Sequence, residues 1–302
     1  MPIRFEITEL TSGVQIIRLH NGVTKALSRF SGGFDYAVIY LVDSELIFDT
    51  GYSWAGRVLK TQVFKILDLQ KVKYVLNSHD HEDHTGNNHL FLEHCPNARV
   101  FAAQAAITNI RFPIQKPWYR RFLFGPEKAC DVTVTPPAFQ LSSGRTLEVI
   151  PTPGHTDGHI CLYDRKNKLL FTGDLFISEN LDTQLSDANG PRWVDSLQRI
   201  LTLEMGYLFD GHGVVVSGLN CKKRLRAKLD FLILLKNKVT EIIARGPITQ
   251  AELIRELNAT SGLVNSLSMG EGWMSFITSG NFSRSNLIRG FVEEASDNTH
   301  SK

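Results

Sequence analysis

Residues 78–88 read Ser-His-Asp-His-Glu-Asp-His-Thr-Gly-Asn-Asn and follow the strand-like run Val72-Lys73-Tyr74-Val75-Leu76. His79, His81, Asp83 and His84 thus fall within six positions at the carboxyl end of a buried-looking strand. Three imidazoles and a carboxylate so placed are hard to explain without a metal, because borderline cations such as zinc take imidazole nitrogen and carboxylate oxygen at about 2.0–2.2 Å. In a loop, His79 and His81 can turn toward one ion while Asp83 and His84 turn toward a second. The competing reading, a solvated polar loop, loses ground as partners accumulate along the chain.

Those partners stand at further strand ends. Leu147-Glu148-Val149-Ile150 leads into Pro151-Thr152-Pro153-Gly154-His155-Thr156-Asp157-Gly158-His159, a tight loop that offers His155. His159 is the weaker candidate because it opens the next strand. Leu169-Leu170-Phe171 runs into Thr172-Gly173-Asp174, and Tyr207-Leu208-Phe209 into Asp210-Gly211-His212-Gly213. Upstream, Leu46-Ile47-Phe48 ends in Asp49-Thr50-Gly51, where Asp49 is placed to accept a hydrogen bond from a ligand imidazole. The total is five imidazoles and two carboxylates in loops of the kind that carry function. One zinc needs about four ligands, so seven fit two metals.

The whole chain sets outer bounds. Its 302 residues allow one large α/β domain plus an appendage. A formal net charge of +2 gives no global argument for nucleic acid. Cys95, Cys130, Cys161 and Cys221 are widely spaced and form no CxxC pair, which points to reduced thiols. The start, Met1-Pro2-Ile3-Arg4-Phe5-Glu6, carries charge where a signal peptide needs an apolar run, and no window offers a membrane span. A soluble cytoplasmic protein is the expectation.

Around the metal stretch the chain alternates strands and helices. Val14–Ile17, Tyr36–Val42, Leu46–Phe48 and Val100–Ala102 read as strands, with Gly32-Gly33 as punctuation; helices are expected over 54–69, 86–94 and 103–111. His89 and His94 are read as ordinary helical residues. Residues 112–131 break the rhythm, mixing Trp118, Tyr119, Phe122 and Phe124 with Lys116, Arg120 and Arg121. Such a segment suits a lid over the site or a loop packing its own aromatics. From residue 222 a helical region is expected. It holds a long helix through Leu225, Leu229, Leu232, Leu235 and Val239, a Thr249–Glu252 capping box opening a second helix, and a third helix over 285–294. A loop bearing Gly270, Gly272, Trp273 and Phe276 lies between, and 296–302 reads as a frayed end.

The set His-x-His-x-Asp-His at 79–84, Gly-His-Thr at 154–156, Gly-Asp at 173–174 and Gly-His-Gly at 211–213, with Asp49-Thr50-Gly51 upstream, resembles the metallo-β-lactamase superfamily. The resemblance covers about residues 14–215 and implies an α/β, four-layer αββα sandwich over 1–221 with a C-terminal helical extension over 222–302. It implies that His79, His81 and His155 hold a first metal and Asp83, His84 and His212 a second. Asp174 and a hydroxide would bridge them, Asp83 also orienting the nucleophile. Two zinc ions are expected, with iron or manganese as alternatives. The common zinc β-lactamases carry Cys at the position of Asp174, so hydrolysis of an ester, thioester or lactone on a small-molecule substrate is the favoured activity. Superfamily nucleases and phosphodiesterases share the aspartate, and the basic run Lys222-Lys223-Arg224-Leu225-Arg226-Ala227-Lys228 keeps an RNA-directed reading open without favouring it. An iron-dependent oxygenase of the same fold is the remaining alternative. The sequence leaves a homo-oligomer open.

Overall fold

The computed structural model describes residues 3–10, 13–20, 22, 36–180, 183–259, 276 and 278–300. Strands β1 (Arg4–Leu10), β2 (Val14–His20), β3 (Ala37–Val42), β4 (Leu46–Phe48), β5 (Tyr74–Leu76), β6 (Arg99–Ala102) and β7 (Thr133–Val134) join in that order into one sheet. Antiparallel pairing runs from β1 to β4, and parallel pairing from β4 to β7. Strands β8 (Ala138–Gln140), β9 (Thr146–Pro151), β10 (Ile160–Asp164), β11 (Leu169–Gly173), β12 (Gln184–Leu185), β13 (Tyr207–Asp210), β14 (Val215–Ser217) and β15 (Phe282–Ser283) follow. Of these, a second sheet has the order β14-β13-β11-β10-β9-β8, while β12 pairs with β15.

The layering follows from alternation along strands buried on both faces. In β3, Val38, Tyr40 and Val42 enter one apolar cluster while Ala37, Ile39 and Leu41 enter another. In β10, Ile160 and Leu162 share the first cluster, whereas Cys161 and Tyr163 join a third. The shared cluster is the seam between the two sheets, and Phe48, Phe171 and Phe209 fill it. Helices cover the outer faces, Asn88–His94 and Ile107–Arg111 on the first sheet, Gly190–Leu201 and Leu219–Ile243 on the second. Both-face burial is why these strands read as continuous apolar runs. The result is the αββα sandwich with C-terminal helices.

Several boundaries differ from expectation. Residues 4–6, read only for the absence of a leader, belong to β1, an edge strand whose side chains are half-buried or exposed. The expected helix over 54–69 breaks, because Gln62 leaves helical backbone (φ −131°) and lets Val63 and Phe64 turn into the core. What remains is α-helix Gly56–Thr61 between 3-10 turns at Ser53–Ala55 and Val63–Lys65. Residues 103–111 likewise split into a 3-10 turn, Gln104–Ala106, and helix Ile107–Arg111.

The 112–131 segment packs part of its own aromatic content against the domain. Its helix Trp118–Phe124 buries Arg120 against Glu82 and sets Phe124 against Tyr52, yet leaves Trp118 and Phe122 exposed. Trp54 Nε1 donates to Phe122 O. In the tail, the long helix starts at Leu219, Thr249 and Glu252 form the capping box before Gln250–Ala259, and the last helix, Arg284–His300, continues past Glu294. Gly32-Gly33 and the loop residues Gly270, Gly272 and Trp273 lie outside the described residues. Among the described residues no helix is long and apolar enough to cross a membrane.

Candidate metal centre

The carboxyl ends of β4, β5, β9, β11 and β13 open at one edge of the sandwich, and the loops that follow them carry the acids and imidazoles. Three groups of ligand atoms each lie within 4.8 Å of one another: His79, His81 and His155; His79, His84 and Asp174; Asp83, His84 and His212. All seven side chains are buried. His81 Nδ1 sits 3.1 Å from His155 Nε2. Asp174 reaches both sides, with Oδ2 at 3.5 Å from His155 Nε2 and 3.2 Å from His212 Nε2, and Oδ1 at 3.4 Å from His84 Nε2. Asp83 Oδ2 is 3.8 Å from His84 Nε2. The seven residues singled out in the sequence are therefore brought together, whereas His89 and His94 stay in their helix and His159 contributes to none of the three groups.

Outer hydrogen bonds fix the tautomers. Ser78 Oγ donates to Asp49 Oδ2 at 2.8 Å, so it accepts from His79 Nδ1–H at 2.9 Å and leaves His79 Nε2 with its lone pair. His84 Nδ1–H donates to Asp49 Oδ2 (2.9 Å), and His212 Nδ1–H to the carbonyl of Tyr36 (2.7 Å). His81 is held the other way round, Nε2–H donating to Asp187 Oδ2 at 2.9 Å, so that Nδ1 faces inward. Carbonyls and carboxylates cannot donate, so four rings point lone pairs at the same space as two carboxylates.

That assembly fits a cation. His79 Nε2, His84 Nε2 and Asp174 Oδ1 are buried without a hydrogen-bond partner among the described residues, a costly arrangement unless positive charge sits between them. Protons stand in partly. Burial works against a charged ring at His212, but the Asp174 carboxylate outweighs it and lifts that histidine to about 9. His84 rises too, Asp174, Asp83 and Asp49 overcoming its burial. Burial holds His79 well down and His155 at about 4, so these rings are neutral. The nitrogen and oxygen donors suit zinc, iron or manganese.

Supporting residues carry the rest of the geometry. Asp49 adopts positive φ (61°), unusual for a non-glycine, and so aims its carboxylate at Ser78 and His84. Thr50 and Asn77 both donate to the carbonyl of His84, and Asn88 accepts from both. His159 Nε2 accepts from the Asp174 backbone N–H at 3.1 Å, so this histidine holds the aspartate's backbone. At Gly211 a Cβ would overlap Asp174 Oδ1, which explains the glycine. Sequence reading missed Asp187 and the bond from His159 to Asp174, because each pairing is made only by the fold; the adjacent Gly190-Pro191 helix start is the one local signal near Asp187.

Comparison with known proteins agrees with this architecture. The family model of the metallo-beta-lactamase superfamily matches residues 32–214. An atrochrysone carboxyl ACP thioesterase of Aspergillus fumigatus is 27% identical over 70% of this chain and 64% of its own length. The acyl-coenzyme A thioesterase MBLAC2 of Gallus gallus is 29% identical over 42% of this chain and half of its own. The chain thus spans two thirds or less of these relatives. Among solved structures, the metal-soaked Flv1 flavodiiron core of Synechocystis superposes with a TM-score of 0.61 at 16% identity, covering 78% of this chain and 63% of that one, a likeness of fold.

Proposed function

This chain belongs to the metallo-beta-lactamase superfamily, and on that premise we propose that it is a dinuclear metal-dependent hydrolase of thioester-like small substrates. The observation that carries the reading is Asp174, one carboxylate within 3.5 Å of nitrogens on both sides of the centre. Thioesterases among the relatives, with two different thiol carriers in their names, supply the substrate class.

His79, His81 and His155 would hold one cation and Asp83, His84 and His212 the other, with Asp174 between. Such ions, zinc by preference, would supply Lewis acidity, making a hydroxide available near neutral pH and polarising a substrate carbonyl. The chain's own residues do the rest. Asp83, buried yet held below the usual carboxylate range by His84 and His212, stays ionised and serves to orient the attacking water and accept its proton. Asp49, Asp187 and the Tyr36 carbonyl keep the imidazole lone pairs turned inward. Tyr119, raised by burial to about 12, keeps its proton and donates to Asn281, tying helix Trp118–Phe124 to the tail.

The nuclease reading is weaker. Of the basic run at 222–228, Arg224 pairs with Glu179 and the buried Lys228 lies 5.0 Å from the Trp193 ring, so no unbroken phosphate track remains. The test is a panel of thioesters, lactones, phosphodiesters and RNA offered to protein stripped and reloaded with zinc, iron or manganese. Metal-dependent turnover of thioesters is expected. Turnover of phosphodiesters with thioesters untouched, or oxygen uptake by the iron form alone, would replace this reading.

A further inference from the structure

A cleft of about 410 Å³ opens beside the centre, bounded by the loops at 156–158 and 186–189 and by helix Arg284–His300. Three of its wall residues adjoin the ligand set. Asp80 lies between His79 and His81, Thr156 follows His155, and Asp187 holds His81. The wall carries four carboxylates, Asp80, Asp157, Asp187 and Glu293, against the single guanidinium of Arg289. Asp157 pairs with Arg192 and Asp187 with His81, whereas Asp80 accepts only from the neutral amide of Asn109, so part of the wall's negative charge stays uncompensated. The Thr156 hydroxyl is buried and has no hydrogen-bond partner among the described residues. The cleft is therefore rich in acceptors, poor in cations, and of a size that suits a small ligand.

A pantetheine-type arm offers amide and hydroxyl donors and bears no carboxylate, whereas glutathione carries carboxylates at both ends. Resting on the thioester reading above, we propose that this cleft receives the amide-linked thiol arm of a pantetheine thioester and disfavours a glutathione thioester. The acyl group then lies on the metal side of Asp187, and the leaving thiol is selected by the arm.

The experiment presents one acyl group on three thiols, pantetheine, glutathione and N-acetylcysteamine, to the zinc-loaded full chain. The kcat/KM for pantetheine should exceed that for N-acetylcysteamine by about tenfold or more, since unmet hydrogen-bonding groups penalise the truncated arm. Glutathione should do no better than N-acetylcysteamine. Thr156→Val should pull the pantetheine to N-acetylcysteamine ratio toward one, where a merely structural fault would lower both rates alike. Glu293→Lys, at the exposed rim, should raise the relative rate on glutathione. Equal rates on all three arms, or glutathione matching pantetheine, would overturn the assignment of the cleft while leaving thioester hydrolysis standing. Failure on every thioester beside turnover of phosphodiesters would remove the functional reading and the cleft's role with it.

Discussion

Replacing Asp49 by Asn tests whether the outer hydrogen bonds set up the centre. Asp49 is fully buried and accepts three bonds, from Ser78 N at 2.7 Å, Ser78 Oγ at 2.8 Å and His84 Nδ1 at 2.9 Å. An amide presents NH₂ on one side, so it meets either the Ser78 N–H or the Ser78 hydroxyl and His84 ring donor to donor. The neutral group also loses the charge that strengthens bonds from an imidazole. Outer partners of this kind are worth about 10–100-fold in metal affinity, which converts to about 1.4–2.7 kcal/mol. Chelator-competition titration with zinc should show that loss chiefly in the binding step that uses His84, with the circular dichroism spectrum retained. Unchanged affinity within about twofold would refute the reasoning, as would an equal weakening of both steps.

Other expectations follow from the same geometry. In metal-free protein His212 is charged at neutral pH, so its stabilising contribution is complete below the unfolded value of about 6.5 and lost as pH rises through about 9. Metal needs the neutral ring, so uptake near pH 7 should release protons and affinity should climb with pH toward 9, which calorimetry in buffers of differing ionisation enthalpy measures. Arg120→Ala leaves the buried Glu82 with only Lys116, 3.9 Å away, and should cost about 3 kcal/mol in denaturant unfolding, the low end for a broken buried pair. Gly211→Ala pushes against Asp174 Oδ1 and should cut kcat about 100-fold or more with little change in the fold, read by steady-state kinetics beside a thermal melt.

How far the centre could be read in advance depended on locality. The loops at 79–84, 154–156, 173–174 and 211–213 announce themselves because each sets reactive side chains at a strand end, the last three beside glycine, and their convergence followed from family resemblance. Asp49 was visible for the same reason. Asp187 was not, since its partner His81 lies 106 residues away and nothing in Ser186-Asp187-Ala188-Asn189 marks the pairing. The broken helix at 53–65 shows the same limit from the packing side. Its apolar spacing suits a helix, yet Val63 and Phe64 reach the core only through the kink at Gln62. Strand β1 alternates Phe5 and Ile7 with the polar Arg4, Glu6 and Thr8, a pattern present in the sequence but weak at an edge.

The most direct measurement is the metal content of the purified chain and of its Asp174→Ala variant, taken alongside thioester turnover. The account requires about two transition-metal ions per chain, with turnover lost on chelation and regained on reloading, and a variant that folds but binds fewer ions and does not turn over. A folded chain that takes up no transition metal, or an Asp174→Ala variant with full metal content and full activity, would contradict it.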